Sequence, residues 1–318
     1  MTRRSSRITS LLDLLLIPLV VPAGVLLKAV RRVGLQRLPM CRRLLLSIGV
    51  LPLRRHYYEP FIRPEDLRHP LDRERELPGI HWNVPAQLEL LSTLRYAGEV
   101  QTLLADNSGA FGFRLHNESF ESGDAEFLYQ VIRALKPRSI IEVGSGQSTR
   151  IARAAIKKNS EELAGYKCHH TCIEPYEAPW LESLGVNVLR QRVEDVDSAL
   201  FGTLGRNDLL FIDSSHIIRP QGDVLTEYLQ ILPTLKPGVV VHVHDVFSPR
   251  DYPDDWVFGK LLLWNEQYLL EAFLTNNIEW EVMAALNLLK HRHFEALQKV
   301  CPYLSGEREP GSIYIRKI

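Results

Sequence analysis

The sequence predicts an α/β protein whose doubly wound, mostly parallel sheet follows a helical N-terminal accessory region. Three observations carry this expectation. From Ser139 onward, short apolar, β-branched runs alternate with amphipathic stretches of helix length, the pattern of strands covered on both faces. The first run ends in a glycine turn, Gly144-Ser145-Gly146, that opens into a helix. Acids and histidines then recur where the later strands end, which is where open parallel sheets bind ligands.

At 318 residues the chain is long enough for one such domain plus an accessory region. It is 45% apolar and 24% charged, an ordinary globular composition. A formal net charge of zero argues against a nucleic-acid partner. The charge is unevenly placed, however. Up to Arg55 eleven Lys or Arg stand against one acid, Asp13, which leaves ten net negative charges on the remainder. A basic head on an acidic body predicts that the head meets an anionic surface. Four cysteines, Cys41, Cys168, Cys172 and Cys301, lack zinc-site spacing. Cys168 and Cys172, four apart on an expected strand, would lie roughly 13 Å apart, too far for a disulfide or shared ligation. Free thiols fit a cytoplasmic protein.

Within the head, residues 14–27 are charge-free and apolar, with Arg3, Arg4 and Arg7 before them and Lys28, Arg31 and Arg32 after. Fourteen residues fall short of the roughly twenty that span a bilayer as a helix. Pro18 and Pro22 predict kinks. A signal peptide is disfavoured because no small-x-small cleavage site follows. A second apolar stretch at 41–58 is likewise framed by arginines. The two read as interfacial anchors on the cytoplasmic leaflet of the cell membrane. Packing on the catalytic domain, or a dimer contact, is the competing reading. The expected organisation is an anchor over 1–58, a linker with accessory helices over 59–122, and the α/β domain over 123–318. The linker's first part, 59–83, is rich in Pro, Arg and acids, and a helix is expected over 87–96.

Each further element has its own signal. DAEFLYQVIRAL (124–135) has helical periodicity and stops at Lys136-Pro137. Strands are expected at 139–143, 170–175, 187–195, 208–213, 238–247, 278–286 and 312–318, where apolar and β-branched residues cluster. Helices are expected at 147–158, at 222–235 with Asp223 as N-cap, and at 259–274.

The strand ends hold the candidate site. The glycines of Gly144-Ser145-Gly146 permit a tight turn and close approach of a ligand to the backbone. A dinucleotide loop wants a third glycine where this chain has Thr149. Glu142, just before the turn, would repel a pyrophosphate but welcome the cationic end of S-adenosylmethionine. Glu174, at the end of the second strand, is suited to ribose hydroxyls, and Glu194 or Asp195 to an adenine amino group. The competing reading for Glu194 and Asp195 is a pair of acids complementing a helix N-terminus. Asp213, His216, His244 and Asp245 come together if the fourth and fifth strands are neighbours. Two carboxylates and an imidazole at one mouth suit either a hard divalent cation or general-base chemistry by His216, His244 or His242. The pleat sends Asp245 to the face opposite His242 and His244, so the strand must end or bend near His244 for them to meet. Loop 248–256 offers Arg250, Tyr252 and Trp256 to an acceptor.

The runs IIEVGSGQST, CIEP, FIDSSH and HVHDVFSPRDYP resemble those of bacterial class I S-adenosylmethionine-dependent methyltransferases of the methyltransferase domain 24 type, related to macrocin-type sugar O-methyltransferases. The resemblance covers 123–318. It implies a Rossmann-like fold, cofactor contacts by Glu142, Gly144, Gly146 and Glu174, and, for metal-using relatives, ligands such as Asp213, His244 and Asp245 for Mg. The chain departs from the pattern with Ser148 in place of a common glycine and with His244 in place of an acid. HYYEP and LPGIHWN are similar to members found beside polysaccharide genes. The expected activity is O-methylation of a sugar, glycolipid or polyol hydroxyl at the cytoplasmic membrane face. A nicotinamide-dependent oxidoreductase and a non-catalytic membrane-anchored scaffold are the alternatives, and an oligomer is compatible with either.

Overall fold

The computed structural model describes residues 3–105 and 110–318. The chain divides into two compact units, 1–68 and 69–318, with the boundary inside the expected linker.

The first unit opens with α1 (Arg3–Val33), one 31-residue helix. Pro18 and Pro22, where kinks are expected, lie inside it without ending it. Its segment Thr9–Val33, 25 residues, is long and apolar enough to cross a membrane, which corrects the fourteen-residue reading. The helix runs past the charge-free stretch because Ala29, Val30 and Val33 extend the apolar side between the basic residues. Along its middle the apolar side is open: Leu15 and Leu19 are 65% and 68% exposed. The side chains of residues 1–8, including Arg3, Arg4 and Arg7, lie outside the described residues. A short helix, α2 (Pro39–Ser47), follows Gly34. Glu59 ties the later segment back to α1 by a two-pronged pair with Arg31 at 2.8 and 2.9 Å.

The second unit begins with α3 (Val84–Thr93), α4 (Ala97–Ala105) and α5 (Asp124–Leu135). There follow β1 (Ser139–Val143), α6 (Gln147–Glu162), β2 (His169–Ile173), β3 (Asn187–Leu189), β4 (Leu209–Ile212), α7 (Asp223–Thr226) and β5 (Val240–His244). The unit ends with α8 (Glu266–Leu274), β6 (Trp280–Ala285), α9 (Leu286–Arg292), α10 (Phe294–Val300) and β7 (Ser312–Lys317). The sheet order is β3-β2-β1-β4-β5-β7-β6. Strands β1 to β5 are parallel, and β7 is antiparallel to both of its neighbours. This is the doubly wound, mostly parallel, Rossmann-like arrangement that the sequence predicts.

Alternation along the strands makes two cores. Ile140, Phe211 and Tyr314 pack with α5, α6 and α10 on one face. Ile141, Leu210, Val241 and Ile315 pack with α7 and α8 on the other. At roughly 25 cal/mol per Å² of apolar area, such two-sided burial is the dominant stabilising contribution. The accessory segment packs on this unit, where Gln87 Oε1 accepts the Ala285 N–H at 2.8 Å.

Three expectations are corrected. The helix predicted over 259–274 starts only at Glu266, because the backbone N–H groups of Asn265 and Glu266 both turn to the His216 carbonyl. The helix over 222–235 widens after Thr226 and tightens at Leu232, where Pro233 follows, and its N-cap is Gly222 rather than Asp223. β3 stops at Leu189, and a short turn at Val193–Asp195 replaces the rest of the predicted strand.

Candidate active site

The turn after β1 is built around the backbone of β4. Gly144 has φ 75°, and a Cβ there would lie 1.8 Å from the Asp213 carbonyl oxygen. The Asp213 N–H donates to the Val143 carbonyl at 2.9 Å, and the Gly144 N–H to the Ile173 carbonyl at 3.0 Å. Only glycine fits this left-handed, crowded position. Gly146 is extended, and a Cβ there meets nothing within 4 Å.

Beyond the strand ends lies a cavity of about 470 Å³. Gly144, Glu174, Tyr176, Glu194, Asp213 and Arg219 are among its walls. Glu174 is held in place by three backbone donors: the N–H of Ser145 at 3.3 Å, of Tyr176 at 3.0 Å and of Glu177 at 2.9 Å. A carboxylate offers about four lone-pair sites, so it retains capacity for hydroxyl donors. Glu194 lies 3.7 Å from both Arg192 and Arg219. Its neighbour Asp195 is half-exposed, pairs with Arg192 at 3.0 Å and is outside the wall, so the fold brings in only one acid of the pair.

Glu142 is not in this wall either. The pleat turns it to the α5–α6 face, where it is buried against His170 Nε2 at 2.8 Å and the Cys172 thiol at 3.4 Å. The expected direct contact of Glu142 with a ligand in the turn is therefore corrected to a buried polar contact between strands. Ser145 is also buried and reaches the site only through its N–H to Glu174. Cys172 is a free buried thiol, and burial and Glu142 together raise its pKa.

Asp213, His216, His244 and Asp245 do converge. β5 ends at His244, and Asp245 takes a φ of 57°, the bend that the pleat required. His216 is also left-handed, with φ 59°. His216 Nε2 lies 3.3 Å from Asp213 and 3.5 Å from Asp245. His244 Nδ1 lies 3.3 Å from Asp213 and 3.4 Å from Asp245, and its Nε2 is 3.9 Å from the buried Asp124. Behind His216, the buried Glu266 pairs with Nδ1 at 2.8 Å and accepts the Tyr228 hydroxyl at 3.0 Å. Glu266 was legible in principle: it precedes the buried Leu270 by one helical turn, so a helix beginning there turns it inward.

The electrostatics sort these groups into roles. Burial opposes the charged form of both imidazoles, but the carboxylates outweigh it. His216 is raised well above its usual range by Asp213 and Glu266, and His244 is raised to about 9 by Asp245 and Asp213. Asp213, although buried, is held far below the carboxylate range by His244 and His216. Asp245 goes the other way, to about 6, through burial and the Asp213 charge. The carboxylates thus favour the cationic form of both imidazoles, while Asp245 is the more basic of the two clustered carboxylates. His242 is a core residue: it is fully buried, bonded to Ser312 at 2.8 Å and stacked on Tyr314, and burial keeps it neutral.

One ligand atom each from Asp213, His216 and Asp245 lies within 4.8 Å of the others, a spacing that fits a divalent ion. Among the described residues two sets meet this spacing, Glu142, His170 and Cys172 between the strands and this one at the strand ends, which has His216 in place of the expected His244. His244 instead lies against both carboxylates as a counter-charge.

A second cavity, of about 260 Å³, opens on the far side of the cluster. Asp124, His244, Asp245, Phe247, Trp256 and Lys260 are among its walls. Of the loop residues expected to face an acceptor, only Trp256 does so. Tyr252 is buried, with its hydroxyl accepting the Gln267 N–H at 3.1 Å, and the Arg250 guanidinium donates to the Asp72 carbonyl at 2.8 Å.

Comparison with known proteins bears on the same segment. No protein of curated function matches the chain. Among solved structures, an O-methyltransferase from Bacillus cereus in complex with SAH is 14% identical with a TM-score of 0.41, over 73% of this chain and 91% of that one. An O-methyltransferase from Streptomyces achromogenes involved in tomaymycin synthesis, in complex with SAM, is 17% identical with a TM-score of 0.39, over 72% and 89%. The methyltransferase MycE of the mycinamycin biosynthetic pathway, in complex with Mg and SAH, is 14% identical with a TM-score of 0.33, over 60% and 48%. Residues 141–246, from β1 through Asp245 to Val246, match the family model of a methyltransferase domain.

Proposed function

We propose that this chain is an S-adenosylmethionine-dependent O-methyltransferase acting on a hydroxyl of a sugar, glycolipid or polyol at the cytoplasmic face of a membrane. The observation that carries the proposal is the pair of cavities flanking one acid–imidazole cluster, with Asp213 lining the first and Asp245 the second. In this reading Glu174 takes the ribose hydroxyls, Glu194 the adenine end, and Asp213 faces the cationic sulfonium. The acceptor lies in the second cavity, where Trp256 offers an aromatic face to sugar C–H groups and the carboxylates take hydroxyls. Its oxygen attacks the methyl carbon: the C–O bond forms, the C–S bond breaks to leave neutral S-adenosylhomocysteine, and the hydroxyl proton passes to Asp245. A divalent ion held by Asp213, Asp245 and the deprotonated imidazole of His216 would supply Lewis acidity to the acceptor oxygen, its binding displacing the His216 proton.

Thr149 and the methyltransferase-domain match favour this reading over a nicotinamide oxidoreductase. The charged, converged cluster favours it over a non-catalytic scaffold. Calorimetric titration tests the donor: saturable binding of S-adenosylmethionine with none of NADH is expected. No heat at millimolar S-adenosylmethionine refutes the proposal.

For location, α1 provides one helix long and apolar enough to cross a bilayer. Lys28, Arg31 and Arg32 at its C-terminal end and Arg37, Arg42 and Arg43 beyond it outnumber Arg3, Arg4 and Arg7 at its start. The positive-inside bias then keeps the catalytic unit on the cytoplasmic side.

A further inference from the structure

The first compact unit holds a cavity of about 600 Å³ that the chemistry above does not use. One wall is the last two turns of α1, with Lys28 and Arg32; the other is the segment after α2, with Arg54, Arg55 and Arg63. No acid lines it. Arg55 is paired with Asp66, and Arg54 lies 3.7 Å from Glu59. Among the described residues no carboxylate partners the side chains of Lys28 or Arg32, and Arg63 lies in the field of Asp66. The Arg54 Nε is buried without a hydrogen-bond partner. Five cations thus share one concavity, and two of them, Lys28 and Arg32, have no acid partner, so the concavity is positive and complements an anion.

The same walls carry Leu27, Leu53 and Phe61, and Gly24 leaves open space beside them. The ligand must therefore be anionic at one end and apolar at the other. The position of the cavity supports this. As a helix, the 25 residues Thr9–Val33 are about 37 Å long, against about 30 Å of hydrocarbon in a bilayer. A helix inserted from its N-terminal side leaves its last turns, and so this cavity, at head-group depth. We propose that the cavity binds the phosphate head group of an anionic lipid, with the lipid's chain lying along Leu27 and the exposed apolar face of α1. This rests on the reading that α1 enters a membrane.

The test uses the full chain in nanodiscs of phosphatidylcholine with a minor fraction of phosphatidylglycerol, comparing the protein with its K28Q/R32Q/R63Q variant. Native mass spectrometry of the released protein reads the phosphatidylglycerol retained. Each cation near a membrane surface favours an anionic lipid about fivefold, so the variant should lose about a hundredfold in enrichment. Unchanged S-adenosylmethionine affinity in the second unit checks that the variant is folded. Flotation on vesicles of pure phosphatidylcholine should be the same for both proteins, because the apolar face is untouched. If both float and the variant keeps its phosphatidylglycerol, the lipid site is wrong while the membrane reading stands. If neither floats, the membrane reading fails and the lipid site with it. Displacement of the lipid by millimolar inorganic phosphate would reassign the cavity to a free anion and overturn the lipid assignment.

Discussion

The contact between Gly144 and the backbone of Asp213 gives the sharpest perturbation of the site. In Gly144→Ala the new Cβ would sit 1.8 Å from the Asp213 carbonyl oxygen, where real Cβ contacts stay beyond 3.0 Å. The two must part by about 1.2 Å, the difference of those distances, and Asp213 is the residue within 3.3 Å of both His216 and His244. A left-handed alanine costs about 1–2 kcal/mol, and overpacking a filled site about 1–3 kcal/mol. The sum, about 2–5 kcal/mol, corresponds to a Tm lower by about 4–20 °C for a unit of this size. Because Asp213 lines the first cavity, S-adenosylmethionine affinity should fall at least about tenfold, the equivalent of 1.4 kcal/mol. Gly146→Ala separates the two effects. Its Cβ meets no protein atom within 4 Å, so Tm should fall less than half as far while the ligand still loses its close approach. Differential scanning fluorimetry and calorimetric titration read both quantities. A Gly144→Ala protein within 1 °C of the parent, with unchanged affinity, would refute the packing argument.

Other substitutions probe the cluster and the anchor. Glu266→Gln removes the charge that His216 and Tyr228 share, and should cost about 1.5–3 kcal/mol in urea unfolding; a change below 0.5 kcal/mol contradicts the assignment. His244 is raised from 6.5 to about 9, so its contribution is complete below pH 6.5 and is lost as pH rises through about 9. The metal-free protein should therefore lose on the order of 3 kcal/mol between pH 6 and 10, a slope that His244→Gln should flatten. Equal slopes would show that the imidazole carries no such charge. Deleting residues 2–68 should release the second unit from vesicles containing anionic lipid while preserving S-adenosylmethionine affinity; continued sedimentation with the vesicles would show that the anchor lies elsewhere.

Legibility of the sequence followed the range of the forces involved. The strands could be read locally because β-branched runs such as Ser139–Val143 and Val240–His244 are buried on both faces. The convergence of Asp213 with Asp245 followed from strand adjacency, but only the left-handed turn at Asp245 brings them to one mouth. No residue-type signal announces that turn, since an aspartate stands there rather than a glycine. Glu142 was misplaced because motif position alone does not say to which face the pleat turns it. The role of Glu266 was hidden because the contact with His216 spans fifty residues and depends on where α8 begins. In the head, counting only charge-free residues understated α1, whose apolar side continues past Lys28 to Val33.

The central claim is that the cavity walled by Gly144, Glu174 and Asp213 holds the methyl donor beside the acid–imidazole cluster. A crystal structure with S-adenosylhomocysteine measures this directly. The account predicts ribose hydroxyls within hydrogen-bond distance of Glu174, adenine toward Glu194, and the sulfur facing the side of Asp213 that leads to Asp245. S-adenosylhomocysteine bound elsewhere, or with its ribose away from Glu174, would contradict it.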